Sequence, residues 1–360
     1  MTADASPPVQ PVPSPSLRGA VVVIAVLLAL GALWFAREIV APLALAAVLV
    51  IIVHPIRHPL QRRGWPRWAA TTVVVAVAYA ILAALAGLLV FAGFEFAQLV
   101  TDVVDELEAA AVALGDWLAS VGLGGQAAEA ASGAVDPAVL LDLAQGVSGW
   151  LAGFLTAAFF VLAYVIFMAA DAARYGRAEQ AFGSAIRPAL ERIRAYNSSV
   201  RRYYVVNASF GLVVAVIDGL ALWALGVPAP AVWAILAFVT NFIPNIGFVL
   251  GLVPPMVLAF VVGGVPLMLA VIAVYSVVNV VLQVLVQPKF VSDAVDLSLT
   301  LSFFSVVFWT FVIGPLGAIL SIPLTLLVRD LLLDRDPGAR FLRWLSGDAR
   351  VPQQTPGTEA

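Results

Sequence analysis

Cysteine is absent from the 360-residue sequence, and that absence alone removes disulfides, thiolate nucleophiles and cysteine-ligated metals. Lysine occurs once, as Lys289, after a proline rather than a glycine. A phosphate-cradling loop ending in Gly-Lys-Ser/Thr is therefore excluded, and uphill movement of a solute would have to draw on an ion gradient or a separate subunit. There are only two histidines, His54 and His58, lying together beside arginines, so no Ser/His/Asp catalytic set is plausible. They stand at a helical spacing for metal ligands, but Pro55 and Pro59 interrupt that helix, and an interfacial loop is the better reading. The stretch Gly146–Gly149 lacks the G-x-S-x-G frame of a nucleophile elbow. Charged residues make up only 11% of the chain and the net charge is −3, too small to imply a nucleic-acid partner.

What fills the chain instead is apolar. Hydrophobic residues reach 62% and the mean hydropathy is +1.02. A soluble domain of this length has no use for so much apolar surface, so the expected fold class is an all-α polytopic membrane protein with about eight hydrophobic segments. Residues 1–17, rich in Pro and Ser, form a disordered tail in this reading and not a cleaved signal peptide. Three spans follow within 18–94, at 20–36, 39–53 and 69–94, with the arginine-rich loop 54–68 between the last two. Residues 95–148 contain no Lys or Arg but carry Asp102, Asp105, Glu106, Glu108, Asp116, Glu129, Asp136 and Asp142. Val100, Val103, Leu107, Leu114 and Leu118 suggest an amphipathic surface helix there, ended by Gly122, Gly124 and Gly125, with Asp136-Pro137 starting the next. A transporter core spans 149–335. It opens with a span at 149–170, followed by the segment 171–203 with its seven arginines, and it precedes a cytoplasmic tail at 336–360. Excess basic charge marks the cytoplasmic side, so 54–68, 171–203 and both termini are expected inside and 95–148 outside.

Two apolar segments are built to break. Residues 232–262 contain TNFIPNIGFVLGLVPPM, and residues 299–329 contain IGPLGAILSIPLTLL. Proline removes a backbone donor, glycine tolerates unusual angles, and interrupted helices persist at membrane depth only inside protein or along a water-filled cavity. Two such segments in corresponding places point to a transporter's solute path. If both cross fully there are eight spans; if both are re-entrant hairpins there are six, and the C-terminus stays inside either way. Asp218, in the span 204–226, reads equally as a proton or cation relay and as a hydrogen-bonding partner of a neighbouring helix or of the outer interface. Asn279 and Gln283, four apart on the span 266–286, form a polar seam. Trp65, Trp68, Trp117 and Trp150 fit an interfacial belt.

Three blocks of this sequence resemble the autoinducer-2 exporter family of bacterial inner-membrane proteins. The first is Pro55, Leu60, Gly64, Pro66 and Arg67; the second is TNFIPNIGFVLGLVPPM; the third runs from QPKF through IGPLGAILSIPLTLL. The resemblance implies a homo-oligomeric secondary transporter, pentameric in form, that exports autoinducer-2 or another small polar solute across the inner membrane without a cofactor or metal. Carried over by position, the pathway residues are Asn241, Pro244, Asn245, Gly247, Pro254, Pro255, Gly314, Pro315, Gly317 and Pro323. Some relatives resemble monovalent cation/proton antiporters, for which Asp218 is this chain's own candidate relay. Gln287 stands where the family often has Glu, which weakens ion coupling at that spot. A non-transporting membrane scaffold working through 95–148 and 171–203 is the alternative of a different class.

Overall fold

In a computed structural model of the chain, the described residues are 17–102, 137–175, 182–287, 297–332 and 346–347. The expectations for the tail at 1–16, the acidic stretch 103–136, Lys289 and most of 336–360 lie outside them. Every regular element among the described residues is helical. Helices α1 (Leu17–Phe35) and α2 (Arg37–Val53) meet at Ala36. A short α3 (Arg57–Arg62) precedes the long α4 (Arg67–Asp102). Then come α5 (Pro137–Tyr175), α6 (Arg187–Ala224), α7 (Pro230–Thr240), α8 (Gly247–Asn279), α9 (Leu299–Ile313) and α10 (Pro315–Leu332). The all-α polytopic class is what the sequence predicts. Among the described residues, five stretches are able by length and composition to cross a membrane: 37–62, 67–99, 153–171, 183–224 and 247–286.

Helix α2 sits between two cores. One of its faces, with Ala46, Leu49, Val50 and Val53, packs on Val74 and Ala78 of α4 and Val161 and Val165 of α5. Tyr79 anchors that contact by donating to the Leu162 carbonyl at 3.0 Å. The other face, with Ala41 and Val48, joins Val200, Tyr203 and Tyr204 of α6 and Trp309, Val312, Leu320 and Leu326 of α9 and α10. A third core gathers Leu222, Val232, Trp233, Leu258, Ala259, Val271 and Tyr275. In hydrocarbon, apolar burial against other helices gives little net drive, so close packing and interhelical hydrogen bonds hold these contacts.

Both broken segments are helical hairpins. The first pairs α7 with the opening arm of α8, antiparallel around the loop 241–246. Gly247 lies against the Thr240 carbonyl so tightly that any Cβ would collide with it, and Gly251 lies against Ala237 and Thr240. The 247–286 stretch then reverses again. Gly264 adopts φ 67° and ψ −164°, a conformation that only glycine takes without strain. Along a straight helix Gly251 and Asn279 would stand about 42 Å apart. Instead they line one cavity. What counts as one long apolar helix by composition is therefore two arms folded back at the Gly264–Pro266 corner, where the sequence also places a boundary.

The second hairpin turns at Gly314, whose φ of 81° and ψ of −165° repeat the Gly264 geometry. Inside it, Trp309 Nε1 donates to Thr325 Oγ1 at 2.9 Å, and Thr325 Oγ1 donates to Ser305 Oγ at 2.8 Å. Helix α9 has 15 residues and α7 has 11, lengths of about 22 and 16 Å against a hydrocarbon core of about 30 Å. Neither arm crosses alone.

Candidate functional site

The two hairpins approach α6 from its opposite ends. Gly219 of α6 lies beside Pro230 and Ala234 at the start of α7, and Gly211 lies beside Asn241 at its end. The first hairpin thus runs down the C-terminal half of α6. Along the N-terminal half, Tyr196 donates to the Pro323 carbonyl at 3.1 Å and Tyr204 to the Ile319 carbonyl at 2.9 Å. The second hairpin therefore runs up α6, with its tip at Gly314-Pro315 one turn beyond Ile319.

Tyr204 touches both. Its ring stacks on Phe242 of the first tip, centroids 6.1 Å apart, while its hydroxyl holds Ile319 of the second hairpin. The proline chemistry explains that hydroxyl. Pro323 has no N–H to give to the carbonyl four residues earlier, which is that of Ile319. In hydrocarbon a freed carbonyl must find another donor. Tyr204 supplies it, so this carbonyl is satisfied by the protein itself and is not available to a solute.

Against the first tip runs a ladder of amides. Asn207 of α6 accepts at Oδ1 from Gln287 Nε2 at 2.6 Å, and its backbone carbonyl accepts from Asn241 Nδ2 at 2.9 Å. Asn241 Oδ1 in turn accepts from Gln283 Nε2 at 2.9 Å. Both ends of the Asn241 amide are thereby occupied, and it braces the 241–246 loop against α6 and α8. Gln283 lies in a π-helical turn, Val280–Val286, that closes α8. Such turns displace side chains from the α register and recur at functional sites. Gln287 is the rung that holds Asn207.

Asn245 is different. It is exposed, with φ 64° in the left-handed region that Asn tolerates better than most residues, directly after Pro244. Ile246 N–H donates to the Pro244 carbonyl at 2.7 Å, which tightens the tip and turns the Asn245 side chain outward. Gly247 and Gly317 play matching parts, each pressed on a carbonyl of the opposite arm, that of Thr240 or of Trp309. Pro315 is exposed beside Gly314 at the second tip, whereas Pro255 and Pro323 are buried and Pro254 is half-buried. The structure thus brings Asn241, Pro244, Asn245, Gly247, Gly314, Pro315 and Gly317 to the tips. Pro254, Pro255 and Pro323 lie farther along the arms.

Asp218 sits one level away from the tips, fully buried, on the same face of α6 as Asn207, Gly211 and Val214. With Thr240, Gly251, Tyr275, Asn279 and Gln283 it lines a cavity of about 10 Å³, the space of about one water molecule. Neither carboxylate oxygen has a hydrogen-bond partner within the protein. A buried polar atom left unpaired costs about 1–3 kcal/mol, so the arrangement is not there for stability.

Asn207, Tyr204 and Tyr275 were not singled out from the sequence. A signal for the first exists: Val200, Tyr204, Asn207, Gly211, Val214, Asp218 and Leu222 follow one another at helical spacing, and all are buried. Tyr275, Asn279, Gln283 and Gln287 form the facing stripe, of which the sequence reading joined Asn279 and Gln283 and noted Gln287 apart from them.

Comparison with known proteins gives the same outline. A family model described as "AI-2E family transporter" matches residues 23–334. "AI-2 transport protein TqsA" of Escherichia coli is 27% identical over 315 residues, covering 87% of this chain and 91% of that protein. "Putative transport protein YhhT" of Escherichia coli is 28% identical over 324 residues, covering 89% and 92%. A Haemophilus influenzae protein named "Putative transport protein" is 26% identical over 331 residues, covering 91% and 95%.

Proposed function

The chain belongs to the AI-2E transporter family, and from that premise we propose that it is a secondary transporter exporting a small polar solute such as autoinducer-2. The observation that carries this reading is the approach of two hairpins to α6 from opposite ends, with Tyr204 in contact with Phe242 of the first tip and with Ile319, one turn from the second. Opposed re-entrant tips divide a membrane protein into two vestibules separated by a thin barrier, and broken segments of this kind line solute paths. In this reading Asn245 and the backbone groups of the 241–246 tip contact the solute, Asn241 positions that tip, and Gly314-Pro315 forms the opposing gate. Movement of either hairpin along α6 opens one vestibule at a time.

In the same proposal the protein lies in a bacterial inner membrane with both termini cytoplasmic, as the arginines of 54–68 and 171–203 favour. It assembles as a homo-oligomer, a pentamer in the form the resemblance implies, and native mass spectrometry counts the subunits. The relative named for AI-2 transport motivates the substrate. Purified protein in liposomes, offered autoinducer-2 with and without Na⁺ or H⁺ gradients, tests the reading. Saturable, gradient-dependent flux supports it, and vesicles that match protein-free controls under every gradient refute it.

Monovalent cation/proton antiport is a second reading, favoured by the buried Asp218. It predicts ion-driven pH changes in vesicles without solute flux, abolished by Asp218→Asn.

A further inference from the structure

Among the described residues, five buried side-chain atoms lack a hydrogen-bond partner, and four of them belong to Asp218, Tyr275 and Asn279. All three residues line one small cavity between α6, the first hairpin and the second arm of α8. They are respectively 0%, 1% and 7% exposed. Orphaned polar atoms scattered through a structure are local defects. Four converging on one water-sized space make a binding site whose occupant supplies what the protein does not.

The balance of donors and acceptors says what that occupant is. Ionised, Asp218 offers two acceptor oxygens. Asn279 Nδ2 donates to the Tyr275 carbonyl at 2.9 Å, and since a carbonyl accepts only from the nitrogen, Asn279 Oδ1 is turned the other way, unpaired. Thr240 Oγ1 spends its one proton within α7, on the Leu236 carbonyl at 2.9 Å or the Ala237 carbonyl at 3.3 Å, and keeps lone pairs with which to accept beside the cavity it lines. Against these oxygens stand the Tyr275 hydroxyl proton and the second N–H of each amide that lines the space, Asn241, Asn279 and Gln283, whose first N–H is already engaged. No Lys, Arg or His lines the space. A pocket with one carboxylate, several further oxygen ligands and no basic side chain fits a small, hard cation.

We propose that Asp218, Tyr275 and Asn279, with Thr240, form a binding site for one dehydrated monovalent cation of sodium size. A single carboxylate balances a single positive charge, so a divalent ion would stay undercompensated in this dry setting. Carboxylate, amide, hydroxyl and phenol oxygens are the ligand types that hard cations take. The site also joins the first hairpin of the proposed path to the helix it moves against. Thr240 ends α7 at the first tip, Asn279 lies one turn from Gln283 on the amide ladder, and Asp218 is on the fixed helix α6. Occupancy therefore ties the 241–246 tip to α6. This coupling role rests on the transporter reading, but binding itself does not.

The test is equilibrium binding of radiolabelled sodium to the purified full-length protein in detergent, with choline chloride holding ionic strength constant. Wild type is expected to bind about one ion per chain, saturably, and to gain thermal stability in sodium but not in choline. Asp218→Asn is expected to abolish both. Because that variant could fail to fold, Tyr275→Phe serves as the second: it keeps the ring in the core and removes one oxygen, and is expected to weaken sodium binding about tenfold with unchanged elution from a sizing column. Wild type that binds no sodium above a choline-only background overturns the proposal, as does a folded Tyr275→Phe or Asp218→Asn protein with undiminished binding. An infrared band for a protonated carboxyl in wild type, insensitive to sodium and lost in Asp218→Asn, overturns it in favour of a neutral acid. Sodium binding without any solute flux would retain the site and count against the transporter reading alone. Flux without sodium binding would do the reverse.

Discussion

Replacing Tyr204 with Phe removes one oxygen and nothing else from the meeting point of the two hairpins. The hydroxyl donates to the Ile319 carbonyl at 2.9 Å. That carbonyl has no helical donor, because the residue four positions on is Pro323. The variant leaves it unpaired in an apolar setting, at a cost of about 1–3 kcal/mol. The proline itself provides the control. Pro323→Ala restores an N–H that closes the turn onto Ile319, so the same Tyr204→Phe change should then lose most of its effect. The coupling between the two sites is expected to be at least about 1 kcal/mol, above the roughly 0.3–0.5 kcal/mol scatter of independent sites. Unfolding by dodecyl sulfate in mixed micelles, followed by tryptophan fluorescence, gives the four stabilities of the cycle. Additive losses would refute the claim that Tyr204 stands in for the missing proline donor.

Three further outcomes follow from the geometry. Gly314→Ala places a side chain at φ 81° and ψ −165°, costing about 1–3 kcal/mol, and should lower the yield of folded protein, whereas Gly31→Ala, with open space around it, should not. Gly211→Ala puts a Cβ 2.7 Å from Asn241 Nδ2, so it should displace the amide and reduce flux at normal expression. Radioactive solute uptake against a western blot separates those two effects. A cysteine placed at Val265, just after the Gly264 corner, should react with a membrane-impermeant maleimide from outside the cell, because the folded-back arms put that corner at the opposite end from the 241–246 tip; labelling only after permeabilisation would contradict the re-entrant arrangement. The chain's lack of cysteine makes that readout free of background.

Much of this fold is written in hydropathy, because twenty apolar residues have few options other than a membrane helix. The two breaks were legible for the same reason in reverse: Pro244, Gly247, Gly314 and Pro315 are expensive in a continuous helix. Their shape was less so. A proline says that a helix ends or bends, but the reversal at Gly264 and at Gly314 depends on backbone angles that the residue type permits without requiring. The partners were least legible. That Asn241 is tied at both ends while Asn245 is not follows from which helices lie alongside, and the sequence ranks those two amides alike. Asp218 was visible as an unusual carboxylate, whereas the cavity around it needs Tyr275 and Asn279, brought to it only by the Gly264 corner. The α6 extension over 187–203 was read as a charged loop, since its arginines mask a helical stripe of Leu190, Val200 and Tyr203.

The central claim is that the solute passes the exposed tip at Asn245, braced by Asn241 and faced by Gly314-Pro315. The most direct measurement is autoinducer-2 flux through proteoliposomes carrying Asn245→Ala, beside wild type and an exposed-surface control, Phe35→Ala. The account predicts at least a tenfold loss in Asn245→Ala, at unchanged expression and sizing-column profile, with the control near wild type. Wild-type flux in a well-folded Asn245→Ala protein would contradict it and move the path away from this tip.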